Sequence, residues 1–144
     1  MNEHTRHGFI GIQLTRPLRE DLSKVQRQLD RNGAKCVPTK HLQLTLDDLG
    51  ELPEPAFEAA RLAAERVIAR YQPFSVTVKG VDAWPKASPR MVRALVDDPD
   101  GHLAELRADL HEALADYGFP VPDGRWRPHV LLARVDSEIG RAHV

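Results

Sequence analysis

The sequence predicts an α+β fold built from two similar β-α-β-α-β lobes, and two observations lead to this prediction. Short apolar or alternating runs, typical of strands, interchange with longer runs whose apolar residues recur at helical spacing. In addition, the order strand, helix, glycine, then a strand with a histidine-containing polar stripe occurs at residues 9–46 and again at about 90–134. A duplicated domain would place the two polar strands, "HLQLTL" and "HVLLAR", side by side about a pseudo-twofold axis.

The first half of the chain supplies two predicted strands and two predicted helices. The apolar run "GFIGIQL", residues 8–14, is the first strand. Residues 16–33 follow with apolar side chains at helical spacing and a glycine, Gly33, at the end. The second strand covers residues 37–46, and an alanine-rich amphipathic helix covers residues 53–71.

The second half repeats these types of element. Two β-like runs occupy residues 74–84 and 89–98 and are separated by a short proline-containing stretch. A helical pattern over residues 100–118 ends at Gly118, which is typical of a helix C-terminus. The last predicted element is a strand over residues 127–135.

Polar side chains alternate with leucines along residues 40–50, "KHLQLTLDDLG". Strict alternation sends one set of side chains toward a core, here Leu42, Leu44 and Leu46. The other set carries groups that titrate or form hydrogen bonds, namely His41, Gln43, Thr45 and Asp47. An imidazole, an amide and a hydroxyl in succession indicate a candidate active-site strand.

The last strand carries a similar stripe. Alternation places His129, Leu131 and Ala133 on one face and Arg134 on the other. A single histidine on a strand is more often a satisfied structural residue than a catalyst. The surrounding pattern therefore has to decide its role.

Size and charge limit the possible functions. The chain has 144 residues and a formal net charge of -1, so it has room for one domain and shows no bulk attraction to polyanions. A small RNA end or a nucleotide, which needs only a few local cations, is not excluded. Cys36 is the single cysteine, which excludes an internal disulfide framework and predicts a cytoplasmic location.

We predict one bilobed domain over residues 1–138 and a non-native tail over residues 139–144, which match a translated DNA-sequencing adapter.

Two short motifs and their surroundings resemble a known family. The chain has "LQLTLDDLG" at residues 42–50 and "PHVLLAR" at residues 128–134, where the 2H phosphoesterases carry "LHLTLxFLG" and "PHVTLAR". The chain resembles in particular the bacterial RNA 2',3'-cyclic phosphodiesterases, also called 2'-5' RNA ligases. The resemblance covers nearly the whole chain, from about Gly8 to Val135.

This resemblance implies two pseudo-symmetric lobes with antiparallel sheets around a central cleft, and it implies that the family's C-terminal elements are missing here. It also implies that a monomer, without a metal or another cofactor, hydrolyses the 2',3'-cyclic phosphate ends of RNA, or nucleoside 2',3'-cyclic phosphates, to 2'-phosphates. Water would attack phosphorus opposite the leaving ribose oxygen. Two imidazoles whose pKa values lie near neutrality suit the two proton transfers.

The two motifs depart from the family pattern at different positions: the first lacks its histidine and the second lacks its threonine. The resemblance assigns the surviving acid–base role to His129 and phosphate binding to Thr45. Gln43 occupies the position of the family's first histidine, and Leu131 that of its second threonine. Because glutamine cannot transfer a proton, we expect a rate lower by roughly 10²–10⁴-fold. The missing second hydroxyl removes a phosphate hydrogen bond, at a cost of about 1–3 kcal/mol.

Three further residues are candidate accessory groups. His41, two residues before Gln43 on the predicted strand, reaches the phosphate only if the strand shifts or the substrate binds lower in the cleft, and is otherwise a surface histidine. Trp126 either stacks on a base or packs in the protein, and for Trp84 packing is the expected role. Arg134 either lines an RNA-end groove or lies solvated at a strand end, and the same alternatives apply to Arg90, Arg93, Arg125 and Arg127. The alternative function is a non-catalytic module that binds RNA ends or nucleotides in the same cleft.

Overall fold

The α+β class predicted from the sequence is confirmed. The structure, a computed structural model, describes residues 4–122 and 126–135. Strand β6 pairs antiparallel with β2, β3 and β5, and β4 pairs antiparallel with β5. In chain order the elements are β1 (Thr5–Gln13), α1 (Arg16–Arg31), β2 (Lys35–Cys36), a 3-10 turn (Thr39–His41), β3 (Gln43–Pro53), α2 (Glu54–Ile68), β4 (Thr77–Trp84), β5 (Met91–Asp97), α3 (His102–Ala115) and β6 (His129–Arg134).

The described residues form two compact units that interleave along the chain. Unit one comprises residues 4–11, 45–76, 98–122 and Trp126, and unit two comprises residues 12–44, 77–97 and 127–135. Strands β1 and β3 each continue from one unit into the other. The boundary of a single bilobed domain at residue 138 stays a prediction, and the proposed tail lies outside the described residues.

Unit one contains α2, α3 and most of the neighbouring strands β1 and β3. The two helices pack closely because α2 presents alanines, Ala60 and Ala63, to Leu114 of α3. Small side chains allow this approach, and leucines at helical spacing on α3 complete the apolar interior. The buried leucines of α3 are Leu103, Leu106, Leu110 and Leu114.

Unit two contains the start of β3, followed in sheet order by β6, β5 and β4, with β2 also pairing with β6. Helix α1 packs on β2 and β6. Its Gln26 is buried, and the side-chain amide donates to the backbone carbonyls of Val37 at 2.7 Å and Leu132 at 2.9 Å. These bonds satisfy the amide nitrogen of a polar group that would otherwise be costly to bury.

Both glycines predicted to end a helix do so. Gly33 has a φ of 87° and Gly118 a φ of 88°, a conformation that favours glycine. After α1, the amide of Ala34 donates to the carbonyl of Leu29 at 3.1 Å, which closes the helix end.

The predicted start of the second strand is wrong. We expected a strand over residues 37–46, but β3 begins at Gln43. The residues before it form the 3-10 turn, in which the His41 amide donates to the carbonyl of Pro38 at 2.8 Å. Proline cannot donate to a strand ladder and favours such a turn. His41 therefore does not share a strand face with Gln43, and its side chain is exposed.

The predicted alternation along the last strand is also wrong beyond Leu131. In the pairing with β5, Leu131 lies opposite Arg93 whereas Ala133 lies opposite Val92, so Leu132 is an extra residue. Such a β-bulge reverses the alternation. Ala133 consequently turns into the core, and Arg134 comes to the face of the strand that carries Leu131.

Candidate active site

The two strands that carry the motifs lie side by side, as the sequence predicted. Leu44 of β3 pairs with Val130 of β6 in an antiparallel register, and both are buried. One step further along this register, Gln43 lies opposite Leu131, and both are half-buried on the other face. The two positions that depart from the family pattern are therefore cross-strand neighbours in unit two.

His129 lies on the same face of β6 as Leu131, two residues away. Its Nδ1 is 2.9 Å from the backbone carbonyl oxygen of Arg127. A carbonyl oxygen only accepts, so Nδ1 carries the hydrogen and the neutral ring keeps its lone pair on Nε2. Because Nδ1 is occupied by this carbonyl, Nε2 is the atom through which His129 can exchange a proton.

An ion pair lies beside this face in unit two. Arg93 of β5 is opposite Leu131 and donates from Nε and Nη2 to the two carboxylate oxygens of Asp82 at 2.9 Å and 2.8 Å. The hydrogen bond from Arg93 lowers the pKa of Asp82, and the charges of Arg93, Arg127 and His129 add to this effect. Arg93 is 8% exposed, so its fork is a buried structural contact.

The two tryptophans each lie beside an arginine. The Arg93 guanidinium is 5.1 Å from the ring centroid of Trp84 in unit two. The Arg107 guanidinium is 4.8 Å from the ring centroid of Trp126 in unit one. Both geometries are typical of a cation–π contact. Trp84 is 47% exposed, so it does not pack in the core; it lies in the β4–β5 hairpin, opposite Met91 and beside Arg93.

Thr45 begins the part of β3 that belongs to unit one, and its side chain is half-buried. The carbonyl of the next residue, Leu46, accepts a 2.8 Å hydrogen bond from Nε of Arg107 on α3. Burial lowers the pKa of Arg107, and the nearby charge of Asp47 opposes this effect. An arginine that the sequence did not indicate is thus attached to the strand one residue beyond the motif hydroxyl.

A second unexpected contact joins α3 to β3, one helical turn after Arg107. Nε2 of His111 is 3.1 Å from Oδ2 of Asp47, and the two side chains are 11% and 8% exposed. The contact does not meet hydrogen-bond geometry, so this buried nitrogen has no hydrogen-bond partner among the described residues. Arg107 and His111 are four residues apart, so they lie on the same face of α3 and both reach β3. No local sequence pattern predicts that this face packs against β3.

The remaining candidates are brought together only in part. Arg134 shares the face of His129 but is exposed and pairs in register with Lys35. His41 stays on the surface. Among residues 4–122 and 126–135, no three histidine, cysteine, aspartate or glutamate side chains gather as metal ligands would. No helix in that part of the chain is both long and apolar enough to cross a membrane.

Residues 16–142 match the family model described as the 2'-5' RNA ligase superfamily. The chain belongs to the 2'-5' RNA ligase superfamily. Its resemblance to the 2H phosphoesterases, inferred from the motifs, is therefore confirmed. The roles of His129, Gln43, Thr45 and Leu131 stay predictions.

Two relatives within the 2'-5' RNA ligase superfamily are 30% identical to this chain over the aligned residues. The RNA 2',3'-cyclic phosphodiesterase of Archaeoglobus fulgidus is 30% identical over 129 residues, covering 88% of this chain and 71% of the relative. The RNA 2',3'-cyclic phosphodiesterase of Aeropyrum pernix is 30% identical over 117 residues, covering 79% of this chain and 65% of the relative. The chain thus spans about two thirds of their lengths.

Solved structures in this superfamily share the fold. The Thermus thermophilus protein TT0787 matches with a TM-score of 0.77 and 28% identity, covering 90% of this chain and 74% of that one. E. coli LigT in complex with 3'-AMP matches with a TM-score of 0.70 and 25% identity, covering 91% and 73%. These matches confirm the α+β family fold predicted from the motifs.

Proposed function

We propose that the chain is an RNA 2',3'-cyclic phosphodiesterase of reduced activity, which hydrolyses cyclic phosphate ends to 2'-phosphates. The observation that carries this proposal is the half-buried imidazole of His129, whose Nδ1 is fixed on a backbone carbonyl while Nε2 is left to accept a proton. The names of the relatives from A. fulgidus and A. pernix support the substrate class. We further propose that it acts in the cytoplasm as a monomer and without a metal.

In this proposal His129 acts as the general base. Nε2 takes a proton from water while the water oxygen forms a bond to phosphorus, and the bond from phosphorus to the 3'-oxygen breaks. The 3'-oxygen then needs a proton to become a hydroxyl. Gln43 cannot supply one because an amide does not titrate near neutral pH, so this proton comes from solvent. Loss of the acid partner lowers the rate by roughly 10²–10⁴-fold.

Phosphate binding rests on two side chains of β3. The Thr45 hydroxyl and the Gln43 amide each donate a hydrogen bond to a phosphate oxygen. Leu131 offers no donor at the position of the family's second hydroxyl. The missing bond weakens phosphate binding by about 1–3 kcal/mol if that oxygen stays unpaired.

The second candidate function is a non-catalytic module that binds RNA ends or nucleotides. The presence of an amide at position 43 favours it, because glutamine retains a phosphate donor while removing a proton shuttle. E. coli LigT, a structural relative, has been crystallised with 3'-AMP and with phosphate, which supports a nucleotide-binding role.

Turnover of a nucleoside 2',3'-cyclic phosphate decides between the two functions. The variants to compare are the unmodified chain, Gln43→His, Gln43→His with Leu131→Thr, and His129→Ala. We expect slow turnover by the unmodified chain, a gain of roughly 10²-fold or more in Gln43→His, and loss in His129→Ala. Binding without turnover in the unmodified chain, with turnover gained on reversion, would favour the binding module. Activity that survives His129→Ala would overturn the assignment of the base.

A further inference from the structure

Two arginine–tryptophan pairs in this chain differ in how the guanidinium is used. In unit two, Arg93 lies over Trp84 and gives Nε and Nη2 to both oxygens of Asp82. In unit one, Arg107 lies over Trp126 and gives Nε to a backbone carbonyl. Within residues 4–122 and 126–135, no carboxylate forms an ion pair or a hydrogen bond with Arg107. Among those residues, its two terminal nitrogens have no hydrogen-bond acceptor.

Arg107 is also held in one place from several sides. Its Nε is 2.8 Å from the Leu46 carbonyl oxygen, its Cζ is 4.8 Å from the ring centroid of Trp126, and Asp47 acts on its charge from nearby. A cation that is oriented before its ligand arrives loses little entropy on binding. The chain therefore presents a preoriented, partly desolvated guanidinium at β3.

The attachment point lies next to the motif. Leu46 directly follows Thr45, whose hydroxyl is assigned to phosphate binding in the proposed function. Alternation puts the side chains of Thr45 and Asp47 on one face of β3, and Asp47 is close enough to act on the charge of Arg107. The guanidinium therefore lies beside the stretch of strand that carries the hydroxyl, within unit one. A fork with two parallel N–H donors matches the geometry of phosphate oxygens.

We propose that Arg107, positioned by Trp126 and the Leu46 carbonyl, binds a phosphate group of the RNA end. This inference rests on the proposed function and deepens it by naming a charged phosphate contact that neither motif contains. The phosphate is either the cyclic phosphate itself or the neighbouring phosphate of the RNA backbone. In both cases the contact is a charge-assisted hydrogen bond from the terminal guanidinium nitrogens.

The test measures binding, not turnover. His129→Ala serves as the background so that the ligand stays intact. The variants added to it are Arg107→Gln and, as the matched control, Arg66→Gln, which removes an exposed arginine of α2 in the same unit. The ligands are adenosine 2',3'-cyclic phosphate, with one phosphate, and an adenylate dinucleotide with a 2',3'-cyclic phosphate end, with two.

We expect Arg107→Gln to weaken binding by roughly 10–100-fold, the range of a hydrogen bond to a charged group, while Arg66→Gln has no such effect. Weakening for both ligands identifies the cyclic phosphate as the partner, and weakening for the dinucleotide alone identifies the backbone phosphate. The affinity should also depend less steeply on salt concentration, because one salt-screened charge contact has been lost. Equal affinities and slopes in both variants would overturn the proposal.

A second variant separates the charge of Arg107 from its orientation. Trp126→Ala keeps the arginine but removes the ring beside it, so the affinity should fall while the salt slope stays unchanged. The alternative is that Trp126 stacks on the base and Arg107 only supports the ring. In that case Arg107→Gln would lower the affinity without changing its salt dependence relative to the background, and this result would overturn the phosphate contact. If the His129→Ala chain binds neither ligand, the proposed function fails as well. If it binds them and Arg107→Gln has no effect, only the role of Arg107 fails.

Discussion

Gln43 and Leu131 are opposite each other in the β3–β6 register, so the two departures from the family motifs lie at one place on the sheet. Along the chain, the first motif lacks its histidine and the second lacks its threonine, 88 residues apart. In space the loss is concentrated beside a surviving imidazole, His129. Side chains in contact across strands influence one another, so the effects of reverting them should not simply add.

This arrangement predicts coupling between the two reversions. Leu131→Thr alone should raise kcat/KM by only about 5-fold, the low end of the range for one phosphate hydrogen bond, because the phosphate is not yet held against a second proton-transfer group. In the Gln43→His background the same change should raise kcat/KM by roughly 10-fold or more, because the phosphate then binds with both hydroxyls in place. A double-mutant cycle on kcat/KM measures this interaction. Additive effects would contradict it.

The tautomer of His129 could not be predicted from the motif. A histidine in "PHVLLAR" indicates a proton-transfer group, but the nitrogen that works depends on what the other nitrogen contacts. Here the contact is the carbonyl of Arg127, only two residues earlier in the chain. The polar residues that the sequence missed, Arg107 and His111, reach β3 from a helix that is distant in sequence.

Among the elements, the hairpin of β4 and β5 carries the clearest electrostatic contribution. Hydrogen bonds from Arg93 lower the pKa of Asp82 in the folded chain, whereas an aspartate in the unfolded chain titrates near about 3.9. The folded state therefore favours the carboxylate. This stabilisation is present above about pH 4 and is lost as the pH falls through the lowered folded pKa.

We predict that Asp82→Asn is less stable than the unmodified chain at neutral pH, and that the difference shrinks as the pH falls below about 4. Urea unfolding at a series of pH values gives the free energies of unfolding. Asp100→Asn, at an exposed position without an ion pair among the described residues, is the matched control. A difference between the Asp82→Asn and unmodified chains that stays constant with pH would contradict the assigned contact.

The bulge in β6 shows where prediction from sequence reached its limit at this scale. Helix ends and periodicity are local properties, and the glycines that end α1 and α3 were predicted from them. The extra residue, Leu132, is an ordinary apolar residue, and nothing near it in sequence indicates a bulge. Its carbonyl accepts hydrogen bonds from the Val37 amide and from the side chain of Gln26 on α1. The bulge therefore depends on partners elsewhere in the chain.

Gln26 supplies a prediction for this region. Gln26→Met keeps the length of the side chain but leaves the Val37 carbonyl without its side-chain donor. We expect a loss of about 1–3 kcal/mol in the free energy of unfolding, the cost of an unsatisfied buried group. Gln28→Met, at an exposed position on the same helix, should stay within about 0.5 kcal/mol of the unmodified chain. Equal stability of the two variants, measured by urea unfolding, would contradict this account.

Across the whole molecule, charge is nearly balanced. The 20 lysines and arginines face 21 aspartates and glutamates, so no bulk positive field gathers nucleic acid. The cations near the motif strands are instead used individually: Arg93 pairs with Asp82, while Arg107 keeps its terminal nitrogens open among the described residues. Affinity for RNA should therefore come from the end that carries the phosphate and not from the length of the strand.

This balance predicts that RNA length has little effect on binding. A cyclic-phosphate dinucleotide and a strand of about ten nucleotides with the same end should bind within a few-fold of each other, because a chain of nearly balanced charge offers added backbone phosphates no bulk attraction. Titration of both ligands into the His129→Ala chain at two salt concentrations measures this. The salt slopes should also agree, since the number of phosphate contacts is the same. An affinity that rises steadily with length, together with a steeper slope, would instead indicate an extended RNA-binding surface.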